Sequence, residues 1–465
     1  MREDERSAHP YIPNSIPEVR AAMLNAVGAA SIEDLYASVP DEIRLKRPLD
    51  LPSPLRAESD LVRHVEALLA QNTSTRDVVS FLGGGCYQHH VPAVCDEINS
   101  RSEFLTAYAG EPYEDHGRFQ ALFEYESMMG ELLLRDVVCV PVYDSFQAGG
   151  TAIRMASRIT GRRRALMPAS VSADKRSKIV DYVRPDVDVE LLPFDPGTGR
   201  LDLAAMQAAL GPDVACVFIE NPSYLGPIEI DGPDTVRLAH AAGALAVVSV
   251  DPSTLGVLAP PSSWGADIDC GDIQPLGLHQ HFGGANGGFI ASDDDPRVVM
   301  EYPSRLFGIV PTVVPGEYGF GDVAYERTSF AVREEGKEWV GTAAALWGIT
   351  AAAYLALMGP EGMRELGNTM MARTRYAMTR LSSVPGISIP FTSSPHAKEF
   401  VLDFSPSGRS VQWVMAALRE HDIFLGADLS REQPSLGQAA LVAVTEVVTQ
   451  GDIDCLVDVC AEVLQ

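Results

Sequence analysis

Positive charge is scarce in this 465-residue sequence, in which 36 Lys and Arg residues stand against 63 Asp and Glu, a formal net charge of −27. Nucleic acids and anionic membrane surfaces attract proteins that present a basic face, so this balance argues against both as the main partner. A surface this acidic favours solubility, and docking of a basic partner is the alternative interpretation. We therefore predict no nucleic-acid partner and no membrane partner.

Long hydrophobic runs are also missing. No segment approaches the ~18 uninterrupted apolar residues of a membrane-spanning helix. The first residues, Met1 to Ser7, are polar and mixed in charge, unlike a secretory signal peptide. The seven cysteines are scattered without a CxxC or another paired spacing, and a chain of this length needs no disulfide framework. These absences predict a soluble cytoplasmic protein.

Three segments differ in their hydrophobic pattern. Residues 1–80 contain short helical patterns and predict an N-terminal helical accessory segment. Residues 81–360 alternate short β-rich runs with helical patterns, which is typical of an α/β domain with a mostly parallel central sheet. A long helix of this domain is expected to end at Gly359 and Pro360. Residues 361–465 follow as helix, strand, helix, strand and helix, and predict a smaller C-terminal α+β domain.

The middle of the chain resembles the cofactor floor of an enzyme that uses pyridoxal phosphate (PLP). An apolar strand, Ala244 to Val250, ends in Asp251, and a second apolar run covers Ala266 to Cys270. In such enzymes an Asp at this position keeps the pyridine nitrogen protonated, and a lysine about two dozen residues later forms the Schiff base. No lysine lies between Lys178 and Lys337. A chain of this fold that lacks the lysine cannot hold the cofactor covalently.

Eight short motifs identify a family in which they recur in the same order. They are Tyr11-Ile-Pro-Asn, Phe81-Leu-Gly-Gly-Gly, Tyr87 with His89-His90-Val-Pro, Arg101-Ser-Glu-Phe-Leu-Thr-Ala-Tyr, Ala121-Leu-Phe-Glu-Tyr-Glu, Asp251-Pro-Ser-Thr-Leu-Gly, Gly265-Ala-Asp and Gly359-Pro-Glu-Gly. Over nearly its whole length, the chain resembles subunit 1 of the two-subunit bacterial glycine decarboxylase, the P-protein of the glycine cleavage system.

The resemblance implies a PLP-dependent transferase of fold type I, the aspartate aminotransferase class. It implies an α2β2 assembly in which a lysine-bearing subunit 2 carries the PLP and subunit 1 binds none covalently. The reaction decarboxylates a small amino acid, glycine, and passes the aminomethyl group to a lipoyl carrier protein. Pro275 aligns with the Schiff-base lysine, so no catalytic residue is expected in this chain by itself.

Five residues are expected to contribute in trans to an active site shared with the partner. They are Tyr87, His89, His90, Tyr108 and Glu111, which lie in loops that reach the shared site in this family. The alternative is that these are residues of solvated surface loops.

A relict cofactor site is expected at Asp251, Gly283 and Gly284. Asp251 matches the partner of the pyridine nitrogen, although an acid that caps its own loop would look the same in the sequence. The glycines belong to the run 283–288, whose backbone N–H groups could approach a phosphate. Glycines also simply permit tight turns, and that interpretation stays open.

A metal site has only weak candidates. His279 and His281 are separated by one residue, which puts two imidazoles on one side of an extended segment. Two spaced histidines do not make a metal site without a third ligand, and polar or interface histidines are the alternative. We predict no metal ion, with these two residues as the candidates should one bind.

Four loops depart from the family pattern, at residues 108–117, 145–147, 279–281 and 338–343. All four lie where this fold class makes cofactor or interface contacts. They leave two alternatives to the main hypothesis. One is a specialised homologue that acts on another amino acid in a secondary pathway through a recruited cleft, which the histidines and a metal could form. The other is a non-catalytic binding module.

Overall fold

The computed structural model describes residues 16–105, 116–284, 287–303, 305–338 and 344–465. The chain divides into two units, Met1–Asn72 and Thr73–Gln465. Across the described ranges, no helix combines the length and the apolar character that crossing a membrane requires.

The first unit contains two helices, α1 (Pro17–Ala26) and α2 (Glu58–Leu69), and a 3₁₀ turn at Glu33–Tyr36. α1 begins with a proline, a residue suited to the first helical position because its missing N–H has no partner there. Asp34, in the 3₁₀ turn, accepts hydrogen bonds through its carboxylate from the backbone N–H groups of the preceding residues Ala30 and Ser31. These local bonds stabilise a turn without a core beneath it, because no residue from 16 to 72 is buried.

The second unit is built from short strands and helices in alternation. Its strands are β1 (Val79–Ser80), β2 (Val137–Val138), β3 (Arg164–Pro168), β4 (Asp188–Leu192), β5 (Val214–Asn221), β6 (Leu245–Val250), β7 (Ile268–Asp272), β8 (Gly288–Ser292), β9 (Leu306–Pro311), β10 (Tyr318–Val323), β11 (Glu399–Asp403), β12 (Ile423–Phe424), β13 (Ala427–Asp428) and β14 (Ala439–Ala443). Its helices are α3 (Ala93–Ser100), α4 (Ser102–Leu105), α5 (His116–Leu133), α6 (Ser145–Thr160), α7 (Ala173–Val183), α8 (Leu203–Ala209), α9 (Gly232–Ala241), α10 (Pro296–Val299), α11 (Ser329–Val332), α12 (Ala345–Leu381), α13 (Val411–Arg419) and α14 (Gln450–Val463).

A seven-stranded sheet organises this unit, with the strand order β2-β8-β7-β6-β5-β3-β4. The neighbours from β7 to β4 are parallel, and β8 is antiparallel to both of its neighbours. The mostly parallel sheet that the sequence predicts is therefore confirmed. Parallel strands need crossover connections, which the intervening helices provide.

Helices cover both faces of this sheet. Alternate residues of β5 divide between two apolar cores, because successive side chains of a strand point to opposite faces. Phe218 packs in the core that contains Ile153 of α6, and Ile219 packs in the core that contains Ala239 of α9. A strand buried on both sides must be apolar throughout, which explains the continuous Val214–Ile219 run.

Gly359 interrupts the long helix α12. Its φ of 59° and ψ of −179° are not helical, and Pro360 follows with no N–H to donate. The predicted helix end at this position is therefore correct, although a second helical stretch resumes at once and continues to Leu381.

The C-terminal part of the chain forms an antiparallel sheet in the order β11-β14-β13. A separate two-stranded sheet includes a strand from far earlier in the sequence: Val79 of β1 pairs with Ile423 of β12 in parallel. Phe81, the residue after β1, accepts a hydrogen bond from the Ala443 backbone N–H at 2.9 Å and is buried in the C-terminal core. The predicted bounds 1–80, 81–360 and 361–465 stay a prediction.

Candidate cofactor cleft

The cleft lies at the carboxyl ends of the central strands, where open α/β sheets usually bind ligands. Asp251 follows β6 directly, and Asp272 is the last residue of the neighbouring strand β7. Glu220 lies near the end of β5, on the other side of β6. Because the strands are parallel, these three carboxyl groups lie at the same edge of the sheet. A carboxyl group that is buried there needs a hydrogen-bond or ion-pair partner.

Lys398 is the partner of Asp251. Its Nζ lies 2.5 Å from Asp251 Oδ2, and the lysine side chain is only 3% exposed. Ser253 donates to the other carboxylate oxygen from its backbone N–H at 3.0 Å and its hydroxyl at 2.7 Å. Burial opposes ionisation of Asp251, but Lys398 and Ser253 outweigh it and lower the pKa of this carboxyl. Asp251 is therefore an ionised, fully partnered group.

The aromatic ring of Tyr87 covers the other side of Lys398, with the ammonium 3.4 Å from the ring centroid. Such cation–π contact stabilises a desolvated ammonium. The Tyr87 hydroxyl donates to Glu399 Oε2 at 2.9 Å, and the Gly84 backbone donates to Glu399 Oε1 at 2.7 Å. Burial raises the pKa of Glu399 to about 7. Burial and the adjacent Glu399 raise the pKa of Tyr87 well above its ordinary value.

His89 connects Lys398 to Glu446. Its Nε2 lies 3.2 Å from Lys398 Nζ, and its Nδ1 lies 2.7 Å from Glu446 Oε2. Because an ammonium can only donate, Nε2 accepts and the proton resides on Nδ1, which donates to Glu446. Burial opposes ionisation of Glu446, but the bonds from His89 and from the His90 backbone outweigh it and lower its pKa to about 2. The loop 87–90 is thus fixed by one connected hydrogen-bond network.

A second buried lysine, Lys175 of α7, lies beneath the cleft. Its Nζ donates to Glu220 Oε1 at 2.7 Å and to the Ser249 hydroxyl at 2.9 Å. Burial disfavours the ammonium, but Glu220 outweighs it and raises the pKa of Lys175. This lysine is therefore held as a charged partner for Glu220.

Two carboxyl groups lie at the N-terminus of α6. Asp144 Oδ1 accepts the Gln147 backbone N–H at 2.8 Å, and Asp272 Oδ2 accepts the Ser145 backbone N–H at 3.2 Å. Burial raises the pKa of Asp272 to about 7, although backbone N–H groups of Gln274 and Ser145 donate to it. β8 approaches so closely that a Cβ on Gly288 would lie 2.1 Å from the Asp144 carbonyl oxygen. The N-terminus of α6 is a natural anion site, and here its backbone N–H groups donate to the side chains of Asp144 and Asp272.

Pro275, the predicted counterpart of the Schiff-base lysine, is buried in the turn after β7. The fully buried neighbour Gln274 fixes this turn against the loop that carries Tyr87. Its amide oxygen accepts from the Tyr87 backbone N–H at 3.0 Å, and its amide nitrogen donates to the Tyr87 carbonyl at 2.9 Å. The position predicted to match the Schiff-base lysine of subunit 2 is therefore part of a structural clamp here.

The glycine and histidine candidates lie after this turn. Gly283 and Gly284 both have positive φ, 109° and 158°, with open space around an added Cβ. His279 Nε2 lies 2.9 Å from Asp96 Oδ1 at the surface, and the His281 ring stacks 4.8 Å from the Trp347 ring. Among the residues with assigned positions, no group of three or more His, Cys, Asp or Glu side chains is arranged to hold a metal ion.

The structure brings Tyr87, His89 and Asp251 together around Lys398, whereas His90 is exposed. Tyr108 and Glu111 lie outside the described residues, as do 108–115 of the first altered loop and 339–343 of the fourth. The assignment of these residues to a shared site stays a prediction.

The residues of this cleft do not fit PLP. The acid that would face the pyridine nitrogen is paired with Lys398, and the aromatic ring of Tyr87 covers that lysine. The N-terminus of α6, a natural anion site, carries the Asp144 carboxyl as its cap, which disfavours a phosphate dianion there. Both anchoring points of a PLP cleft are thus satisfied by side chains of this chain.

Sequence reasoning missed the residues that fill the cleft. These are Lys398, Glu399, Glu446, Lys175 and Gln274. One signal was available: Lys398 is one of only five lysines in the chain and lies beside an apolar strand, where an unpaired charge would be costly. The sequence does not predict the partner of Lys398, because Asp251 lies 147 positions away from it.

The sheet order and the cleft at its carboxyl edge define a PLP-dependent transferase fold whose cofactor cleft is closed. Two solved structures with little sequence similarity share this fold. They are the sphingosine-1-phosphate lyase of Burkholderia pseudomallei, with a TM-score of 0.66, 14% identity and coverage of 92% of this chain and 94% of that chain, and a NifS-like protein, with a TM-score of 0.61, 13% identity and coverage of 83% and 99%.

The chain belongs to the glycine cleavage system P-protein family, whose model matches residues 9–460. It is 34% identical to a glycine dehydrogenase (decarboxylating) subunit 1 from Staphylothermus marinus, over 98% of each chain. It is 37% identical to the subunit 1 from Moorella thermoacetica, over 96% of this chain and 98% of the relative. A crystal structure of glycine decarboxylase (P-protein) in inhibitor-bound form superposes with a TM-score of 0.85 at 35% identity, covering 98% of this chain and 100% of that chain.

These similarities confirm the family, the fold class and the enzyme class that the sequence predicts. They favour the decarboxylase hypothesis over a recruited cleft or a non-catalytic module, because the similarity extends along the whole chain. The name subunit 1 also implies a partner subunit in the complexes of those relatives.

Proposed function

We propose that this chain is the subunit of a glycine decarboxylase that does not form the Schiff base. It works in a cytoplasmic α2β2 assembly with a lysine-bearing subunit 2, which carries the PLP. The assembly decarboxylates glycine and passes the aminomethyl group to a lipoyl carrier protein. The observation that carries the proposal is the ion pair between Asp251 and Lys398, which closes the cofactor cleft in a member of this family.

The partner's PLP supplies an electron sink for the carbon that loses carbon dioxide. The contribution of this chain is to shape and position residues around that site. The network of Lys398, His89 and Glu446 fixes the loop 87–90, which leaves the imidazole of His90 exposed at its end. In this proposal His90, with Tyr108 and Glu111, contacts the shared site in trans. Such contacts need a rigid support, which the buried network provides.

The test combines the purified chain with the lysine-bearing subunit from the same organism. The chain alone is expected to show no absorbance band of lysine-bound PLP and no turnover of glycine. The two chains together are expected to co-elute and to release carbon dioxide from glycine when the lipoyl carrier is added. Turnover by this chain alone, or failure of the two chains to associate, would contradict the proposal.

A variant pair tests the contribution in trans. His90→Ala is expected to lower kcat/KM of the assembly at least tenfold, because a contact made in the transition state is lost. His421→Ala changes an exposed histidine after α13 and is the matched control. Assembly measured by sedimentation stays unchanged in both variants. Equal activity of the two variants would remove His90 from the shared site.

A further inference from the structure

Arg327 is a buried cation with hydrogen-bond donors that no described residue accepts. The residue is 7% exposed, and its Nη1 donates to the Tyr302 carbonyl at 2.8 Å. Its Nε and Nη2 are buried and have no hydrogen-bond partner within the described ranges of the chain. Because a buried charge without a counter-ion is costly, such a group indicates a partner that comes from outside the chain.

The position of the Arg327 guanidinium is fixed from both ends. Ala324, directly after β10, has a φ of 50°, in the left-handed region, and the 3₁₀ turn Tyr325–Arg327 follows it. A residue with a Cβ keeps this conformation only where the surrounding structure holds it. At the other end, Tyr302 is 3% exposed, and its hydroxyl donates to the Ser292 hydroxyl at 2.9 Å. The guanidinium is therefore held in place before any ligand binds.

The unpartnered atoms of Arg327 form one edge of the guanidinium. The N–H of Nε and one N–H of Nη2 point in the same direction, which matches the two oxygens of a carboxylate-like group. Nη1, on the other side, already donates to Tyr302. A small planar anion with two oxygens fits this edge. A water molecule would accept hydrogen bonds there without balancing the charge.

Two nearby carboxyl groups do not supply the missing counter-charge. Asp322 is paired with Arg305, whose Nε donates to Oδ1 at 2.7 Å and whose Nη2 contacts Oδ2. The oxygens of Glu126, on α5, lie 3.3 and 3.4 Å from the Phe307 backbone nitrogen. Burial raises the pKa of Glu126 well above its ordinary value, against the attraction of Arg327. The charge of Arg327 is thus left without an ionised partner among the described residues.

We propose that the Nε–Nη2 edge of Arg327 binds a small planar anion of the formate and bicarbonate class. The anion supplies the counter-charge at the junction of α5, β9 and the turn after β10, and its binding stabilises the folded chain. This site shares no residue with the cofactor cleft. The inference is therefore independent of the proposed function.

The experiment titrates the full-length chain with sodium formate, while the bulkier sodium isethionate keeps the ionic strength constant. An anion that binds only the folded chain raises the urea midpoint of unfolding, and the effect saturates when the site is filled. Isotope-labelled formate observed by NMR measures binding directly on the unmodified chain. Its signal is expected to broaden when the chain is added and to sharpen again when excess bicarbonate displaces it.

Variants test the assignment to Arg327. Arg327→Lys keeps the positive charge but removes the paired donors, so it is expected to bind formate at least about tenfold more weakly. Arg327→Met is expected to abolish binding. Arg237→Met removes an exposed arginine that pairs with Asp234, and this control should bind within about twofold of the unmodified chain. The NMR competition on the unmodified chain does not depend on whether a variant folds.

Three outcomes would overturn the site. The first is the absence of any saturable effect of formate on the unmodified chain. The second is equal binding by Arg327→Lys and Arg237→Met, which would reveal a general salt effect. The third concerns Glu126→Gln: if formate binds this variant but not the unmodified chain, Glu126 itself occupies the edge of Arg327 in solution.

Discussion

Lys398 Nζ lies 2.5 Å from Asp251 Oδ2, and this contact joins the start of β11 to the loop after β6. The pair connects the C-terminal sheet with the carboxyl edge of the central sheet. In an active cleft of this fold the same acid serves the cofactor. Here Asp251 instead holds two parts of the chain together through its ion pair with Lys398. The contribution of this pair to the free energy of unfolding can be measured.

Removal of the ammonium is expected to destabilise the fold. Lys398→Met leaves the Asp251 carboxylate buried without its ion partner, which costs about 3–5 kcal/mol of unfolding free energy. Urea denaturation followed by circular dichroism measures the loss. The control is Lys178→Met, because Lys178 pairs with Asp174 at the surface and its loss costs under about 1 kcal/mol. The double change Lys398→Met with Asp251→Leu should recover about 2 kcal/mol or more, and no recovery would mean that packing rather than charge dominates.

The Glu399 carboxyl predicts a loss of stability as the pH rises. Its pKa is raised from 4.5 to about 7 by burial, so its contribution is complete below pH 4.5 and is lost as the pH rises through 7. Glu399→Gln removes this titration, and the variant should gain roughly 2–3 kcal/mol relative to the unmodified chain between pH 5 and about pH 8. Denaturant midpoints across this range measure the difference, with the exposed Glu420→Gln as the control. Parallel profiles for the unmodified chain and Glu399→Gln would contradict the prediction.

The Glu446 carboxyl predicts the opposite dependence at acidic pH. Its pKa is lowered from 4.5 to about 2, so its stabilisation is present above pH 4.5 and is lost as the pH falls through 2. Glu446→Gln should cost about 2 kcal/mol at pH 7, and the gap to the unmodified chain should narrow at about pH 3. Thermal unfolding at both pH values measures it. A gap that stays constant would assign the effect to lost packing instead of charge.

Arg135 is expected to be a second strong determinant of stability, at the base of β7. Its guanidinium donates to the buried Asp269 at 2.8 Å, to the Ala266 carbonyl at 2.6 Å and to Asp293 at 2.8 Å. Burial raises the pKa of Asp269 to about 6 even with this partner present. Arg135→Met should therefore cost about 3–5 kcal/mol in urea denaturation. Arg297→Met, which breaks the surface pair with Asp295, should cost under about 1 kcal/mol; equal losses would refute the assignment.

The sequence predicts the central sheet well because its signals are local. Runs such as Val214–Ile219 are apolar throughout, and Asp251 marks the end of a strand. The sequence does not predict the hairpin of β9 and β10, because Gly308, Gly319 and Gly321 weaken the strand pattern. Many side chains of this hairpin also face solvent, so the apolar signal is weak.

The candidate site is less predictable because its partners come from distant segments. His89 meets Lys398 and Glu446 only after the C-terminal sheet has folded. The absence of a lysine near Pro275 predicts that the cleft has no covalent PLP chemistry, but it does not indicate which side chains fill the cleft. Those side chains follow from the three-dimensional arrangement of two sheets, which one-dimensional spacing does not contain.

The pairing of Val79 with Ile423 sets the order of events during synthesis on the ribosome. The β1 strand leaves the ribosome early, but β12 appears only near the end of translation. Until then, the backbone groups of β1 and the side chain of Phe81 have no core to enter, and the central sheet must form beside an incomplete neighbour. A nascent chain stalled before residue 423 should therefore remain dependent on chaperones, however complete its central sheet.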